Sequence, residues 1–212
     1  LFRSGVVIFN ETESSAISYS EITSDGTGGV FVLWKNGSET YMQRLDSTGA
    51  KQWEVDGKIF LEHNQISSPR LSYSLKKTTS GDFAVFIATR WGLNVSIVDT
   101  SGDYVLADNV TGYFTSHINQ LQVLQRGSSF YPVWTNTNSF SQFGNGIFCQ
   151  KLSESGVPQW GTTTTKMMVH ESLDYSAIST VAPASSPGVF VAWGAEEGSS
   201  FNLKLKYYQP TS

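Results

Sequence analysis

Four short apolar runs recur along the chain: residues 28–34 (GGVFVLW), 81–87 (GDFAVFI), 130–134 (FYPVW) and 188–193 (GVFVAW). A continuous apolar run of this length, bounded by Gly or turn residues, predicts a strand buried on both faces. Before the runs lie alternating stretches such as residues 16–20 (AISYS) and 69–73 (PRLSY). After them come amphipathic segments: residues 41–45 (YMQRL), 95–98 (VSIV) and 148–152 (FCQKL). Each amphipathic segment ends in a turn, Asp46 to Gly49, Asp99 to Gly102 and Ser153 to Gly156, at spacings of 53 and 54 residues. A further segment follows each turn, clearest at residues 53–60 (WEVDGKIF) and 160–169 (WGTTTTKMMV) and more degenerate at 104–110. One unit is therefore four strands: a moderately polar first, a fully buried second, an amphipathic third and an outer fourth.

Internal repetition at this period predicts an all-β propeller of four blades, each of four antiparallel strands. The chain stops at residues 209–212 (QPTS), in phase with the turn, and begins with residues 2–9 (FRSGVVIF), which match Trp53 to Phe60. The N-terminal strand is then expected to close the last blade by pairing with the strand that ends near Tyr208. On this reading one domain spans residues 1–212, with blades at about 10–60, 61–112, 113–169 and 170–212 plus 1–9. A segment of a larger propeller would show the same phase at both ends and is the alternative. The Trp-ending second strand, the residues 43–46 (QRLD) with their Gly turn, and the Trp-to-Gly segment after it resemble β-propeller repeats of secreted and cell-surface proteins. That resemblance implies architecture and carries no activity, because propellers host many. Hemopexin-like domains share the size, but the pair of terminal cysteines that locks them is missing here.

Composition narrows the partners. Only 15% of residues are charged and 13% are aromatic, which suits a packed core. A net charge of −4 supplies no basic face for nucleic acid or anionic membrane. No run of 18 apolar residues is present, so direct insertion into a membrane is not expected. The single Cys149 is expected as a small buried hydrophobe. A start at Leu1 suggests a processed chain, and the expected location is extracellular or at the cell surface.

Three histidines keep the period of the repeat: His63, His117 and His170 are 54 and 53 residues apart, and one further period around the circle reaches Glu11. All four are expected just after outer strands, in connections that converge on the central channel. Three imidazoles and a carboxylate are a donor set for a divalent metal such as zinc; otherwise no cofactor is expected. The competing reading gives them hydrogen bonds to neighbouring backbone. The turn acids Asp46 and Asp99 are expected to bond their own loops. Four glycosylation sequons begin at Asn10, Asn36, Asn94 and Asn109, at hairpins or outer-strand ends on one face. Trp34, Trp134, Trp193, Trp53 and Trp160 are expected as wedges between blades. Trp91, Tyr113, Phe114, Phe140 and Phe143 fall in predicted loops, where aromatics contact partners or pack down on a neighbouring blade.

No nucleophile elbow, phosphate loop or zinc-protease motif is present. These patterns predict a non-enzymatic interaction module that presents loops to a protein or glycan partner, as a building block of a larger surface assembly. The alternatives are a carbohydrate-active enzyme or its accessory domain, for which a carboxylate pair would have to meet across loops, and a multivalent lectin.

Overall fold

A computed structural model of the chain describes residues 5–10, 17–37, 39–62, 72–89, 92–109, 118–136, 146–160, 167–171, 177–183, 188–197 and 199–209. The protein is an all-β propeller. Among the described residues there is no helix, and so none long and apolar enough to cross a membrane. The first sheet has the order β1(Ile17–Ser24), β2(Val30–Asn36), β3(Glu39–Leu45) and β4(Lys58–Glu62). The second repeats it with β5(Ser72–Lys77), β6(Phe83–Thr89), β7(Gly92–Val98) and β8(Tyr104–Asn109). The third contains β9(Ile118–Arg126), β10(Ser129–Asn136), β11(Gly146–Cys149), the short β12(Leu152–Ser153) and β13(Met167–Glu171). Three strands make the fourth: β14(Ala177–Pro183), β15(Val189–Glu197) and β16(Ser200–Tyr208). All pairings within the sheets are antiparallel.

The second strands are continuous apolar runs, and those of the second and third blades bury both faces, one against the preceding blade and one against the next. Phe31 and Leu33 of β2, with Met42 and Phe60, join Phe83, Val85 and Ile87 of β6 in one cluster. The other face of β6, Ala84, Phe86 and Ala88, meets Phe130, Trp134 and Phe148 of the third blade. Tyr131, Val133, Ile147 and Cys149 then pack on Val189, Val191 and Trp193 of the fourth. Burial pushes the Cys149 thiol up, in keeping with a core hydrophobe and not a nucleophile.

The turns after the third strands share one geometry. Asp46 N–H donates to Ala50 O at 3.0 Å and Gly49 N–H to Asp46 O at 2.9 Å. The Asp46 Oδ1 accepts from Thr48 N at 2.8 Å and Ala50 N at 3.0 Å. Asp99 accepts from Ser101 N and Asp103 N in the same way, and Ser153 Oγ accepts from Val157 N. Gly49, Gly102 and Gly156 hold φ of 84°, 84° and 76°, a conformation that costs a residue with a Cβ. The turn acids bond their own loops, as expected.

Two blades add a clamp. The buried Gln43 accepts from Arg44 N and Trp53 N and donates to Glu54 O. Gln150 repeats this with Lys151 N, Trp160 N and Trp160 O. The clamp fixes where each Trp enters. Trp53 lies edge-on to Phe31 and donates from Nε1 to Thr100 O of the second blade. Trp160 lies edge-on to Tyr131 and to Tyr208 of the fourth. Both are interblade wedges.

The first strands line the centre: β1 lies against β5, β5 against β9 and β9 against β14. No comparable contact joins β14 to β1 among the described residues, so the ring is open at its fourth junction. The expected closing strand also differs. Residues 5–10 form no ladder with β16, and β16 has β15 as its one neighbour among the described strands. Phe9 instead sits on the first blade, 5.6 Å from the Trp34 ring and 5.2 Å from Tyr41. Apolar contact there replaces strand pairing, because β16 and the first blade are not brought together.

Candidate functional site

The face that carries the 25–29, 46–50, 78–82, 99–103 and 153–157 turns is chemically spent. Asp25 receives the Thr27 and Gly29 amides at 2.8 Å each, the Thr27 hydroxyl at 2.7 Å, and the Arg44 guanidinium at 3.2 Å. Burial pushes this carboxyl up, but the Thr27 hydroxyl, the two amides and Arg44 outweigh burial and hold it down at about 2. Asp46 is lowered in the same manner, first by the Thr48 hydroxyl and then by the Ala50 and Thr48 amides. Between the second and third blades a groove is lined by Thr78, Ser80, Asp82, Ile97, Val105, Glu154 and Ser155. Its carboxylates are also engaged: Glu154 takes the Thr79 amide and hydroxyl, and Asp82 takes the Ser80 hydroxyl. These acids bind the protein to itself and have little capacity left for a ligand.

Glu21 differs from all of them. It lies on β1, opposite Leu33 of β2 and beside the neighbouring first strand β5, where the ring has its centre. Burial raises its carboxyl above the usual range, and the Lys76 ammonium on β5 offsets part of that rise. A carboxyl kept protonated at higher pH is a hydrogen-bond donor and a proton source, which the turn acids cannot be. Among the described first strands, Glu21 is the one carboxylate. Sequence reasoning passed over it, although an acid within the alternating SYSEI stretch of a first strand was a visible signal.

The expected metal ring is not assembled by the described residues. Glu11, His63 and His117 lie outside them, and His170 is placed by its backbone within β13, opposite Ile147, rather than in the connection after the outer strand. No group of three His, Cys, Asp or Glu side chains suited to a metal occurs among the described residues. Of the sequon residues, Asn10 is exposed, Asn36 ends β2 and is buried at 7%, and Asn94 lies inside β7 rather than at its hairpin, opposite Asn109 of β8. Burial of Asn36 leaves little room for a glycan on that side chain. Trp91, Tyr113, Phe114, Phe140 and Phe143 lie outside the described residues.

No protein-family model matches the chain, and no curated protein sequence matches it. Solved structures do share its fold. One is a GH43 β-1,3-galactosidase, with a TM-score of 0.52 and 9% identity over 92% of this chain. Another is an exo-β-1,3-galactanase from Phanerochaete chrysosporium, solved with galactose, with a TM-score of 0.51 and 10% identity over 92% of this chain. The same galactanase solved with β-1,3-galactotriose aligns equally, with a TM-score of 0.51 and 10% identity. This chain spans 43% of the first of those chains and 46% of the second, less than half of either. These neighbours are five-bladed propellers. The likeness confirms the propeller architecture, and it corrects the expectation of a non-enzymatic interaction module. The solved propellers it resembles are a galactosidase and a galactanase, which overturns that expectation, and at 9–10% identity the likeness shows the fold alone.

Proposed function

We propose that this chain is the propeller of a carbohydrate-active protein and that it takes a galactose-containing glycan at the central channel, with Glu21 as the proton donor. The fold match to a galactosidase and a galactanase over 92% of the chain carries the reading. The raised carboxyl of Glu21 at the centre supports it. In glycoside hydrolysis one carboxylic acid protonates the departing oxygen while a second carboxylate serves as nucleophile or activates water. Glu21, whose carboxyl burial raises above the usual range, suits the first part. Lys76 on the neighbouring first strand offsets part of that rise. The second carboxylate is sought among Glu11, Glu13 and Asp174, the acidic residues in the sequence that leads into the first strands.

The test is release of reducing ends from β-1,3-galactan and β-1,3-galactotriose by the purified protein, with Glu21→Gln alongside. Loss of a general acid is expected to lower turnover by about 10²–10⁴-fold while glycan affinity changes little. Absence of both turnover and binding on these glycans would reject the reading. Binding without turnover would assign the accessory role instead.

A further inference from the structure

The outer parts of the interblade junctions are filled differently. At the first junction Trp53 lies edge-on to Phe31, with ring centroids 5.4 Å apart, and its indole N–H donates to Thr100 O at 3.2 Å. Gly102 leaves room for the ring, since a Cβ there would stand 3.0 Å from it. At the third junction Trp160 lies edge-on to Tyr131, with centroids 5.6 Å apart. Both indoles arrive on a Gln-Trp segment, residues 52–53 and 159–160, after a Gly-closed turn. The second blade has none of these parts. One period of 53 residues places Ala84 at the position of Phe31, Ser96 at that of Gln43, and Ile97 at that of Arg44, whose guanidinium covers Phe31. Eight residues separate Gly49 from the start of β4, but one separates Gly102 from the start of β8, so no Trp-bearing segment fits between.

The space left is the groove between the second and third blades, about 360 Å³, with Ile97 and Val105 on one wall and Glu154 and Ser155 on the other. Sites that hold small groups measure about 300–1,000 Å³. Glu154 stands 54 residues after Thr100, whose carbonyl takes the Trp53 N–H, and Gly156 stands 54 after Gly102 with a similar φ, 76° against 84°. The rim is already satisfied. The Thr78 and Ser80 hydroxyls pair, Ser80 donates to Asp82, and the Glu154 carboxylate takes the Thr79 amide and hydroxyl. What stays exposed inside is mainly carbon, with Ile97 buried and Val105 61% exposed. A sugar would find the partners for its hydroxyls taken, which disfavours burying it there. A flat apolar ring with one N–H needs only carbon walls and a carbonyl.

We infer that this groove is a docking site for a Trp side chain presented by a partner polypeptide. The indole sits between Ile97 and Val105 on one side and the 154–155 segment on the other, and its N–H donates to Glu154 O as that of Trp53 does to Thr100 O. The occupant is a peptide Trp because the equivalent spaces are filled by Gln-Trp segments, and it is supplied by a partner because the second blade has no such segment. The inference is independent of the glycan reading, since the groove lies away from the central channel on the face of the turns.

NMR titration of the 212-residue chain tests it, with an acetylated peptide copying residues 157–160 (VPQW) as the probe. The methyl signals of Ile97 and Val105 and the amide of Ser155 are expected to shift on addition of the peptide. Replacing the peptide's Trp by Ala is expected to weaken binding by about tenfold or more. Val105→Trp, which fills the groove from its own wall, is expected to abolish the shifts. Absence of shifts at Ile97, Val105 and Ser155 in the wild-type chain would overturn the inference, whether or not the variant folds. Shifts there with free indole but not with the peptide would overturn it in favour of a small aromatic ligand. Equal shifts at the exposed Leu203 and Leu205 would overturn it as general apolar adhesion.

Discussion

The second and fourth blades use the same alternation to opposite effect. In β6 both faces are sealed, Phe83, Val85 and Ile87 toward one neighbour and Ala84, Phe86 and Ala88 toward the other, none above 1% exposed. In β15 one face is equally dry while Phe190 on the other is 38% exposed. Strand pattern alone does not distinguish them, since both sequences are continuous apolar runs. What differs is whether another sheet is present, which is a property of the assembled ring and not of the strand.

The largest expected effect therefore separates two chemically similar truncations. Phe86→Ala at a closed junction is expected to cost about 3–5 kcal/mol of stability by transfer and cavity terms. Leu205→Ala at the open junction is expected to cost within about 0.5 kcal/mol in this 212-residue chain, as at an ordinary surface position. Urea unfolding of the two variants makes the comparison, and equal costs would break it.

A smaller effect separates the blades that carry the Gln clamp from the second blade, which lacks it. Gln150→Leu leaves the Trp160 amide and carbonyl without their partners and is expected to cost about 1–3 kcal/mol. Ser96 stands in the second blade where Gln43 stands in the first, and Ser96→Ala is expected to cost less than the Gln change. Amide exchange at Trp160 checks the mechanism: its protection falls in Gln150→Leu before that of β10 does.

Smaller again is the pH contrast between Asp25 and Glu21. Asp25 titrates lower folded than unfolded, so its contribution is complete above the range where an unfolded carboxyl titrates and is lost as pH falls toward about 2. Glu21 titrates higher folded than unfolded, so its contribution is complete at low pH and is lost as pH rises through its folded value. Stability against pH for Asp25→Asn should lose the acid limb, while Glu21→Gln should lose part of the decline on the other side. Lys76→Met is expected to push the Glu21 carboxyl higher still, observable by side-chain NMR titration.

Much of this architecture was legible in the sequence. The Gly-closed turns at 46, 99 and 153 and the doubly buried second strands read directly, because turn chemistry and strand burial are local. The Trp53, Trp134, Trp160 and Trp193 wedges followed from their phase, whereas Trp34, expected as a fifth, packs within the first blade against Tyr41 and Phe9. The Gln clamp was visible as Gln43 and Gln150, each ten residues before a Trp, but only the ladder shows that one amide side chain ties two segments. The open junction was not legible. Residues 2–9 carry the pattern of an outer strand whichever sheet they join, and pairing between chain ends depends on the curvature of the whole ring. Glu21 was passed over for a related reason: its importance comes from burial at the centre and from Lys76 on another strand.

Amide exchange along β16, compared with β3 and β7 in the 212-residue chain, tests the contrast between closed and open junctions most directly. The third strands β3 and β7 have a strand on each side, whereas β16 has one neighbour among the described strands. The account predicts that alternate amides of β16 exchange orders of magnitude faster than any in the middle of β3 or β7. Uniform protection across all three strands would contradict it and show that the ring closes on itself.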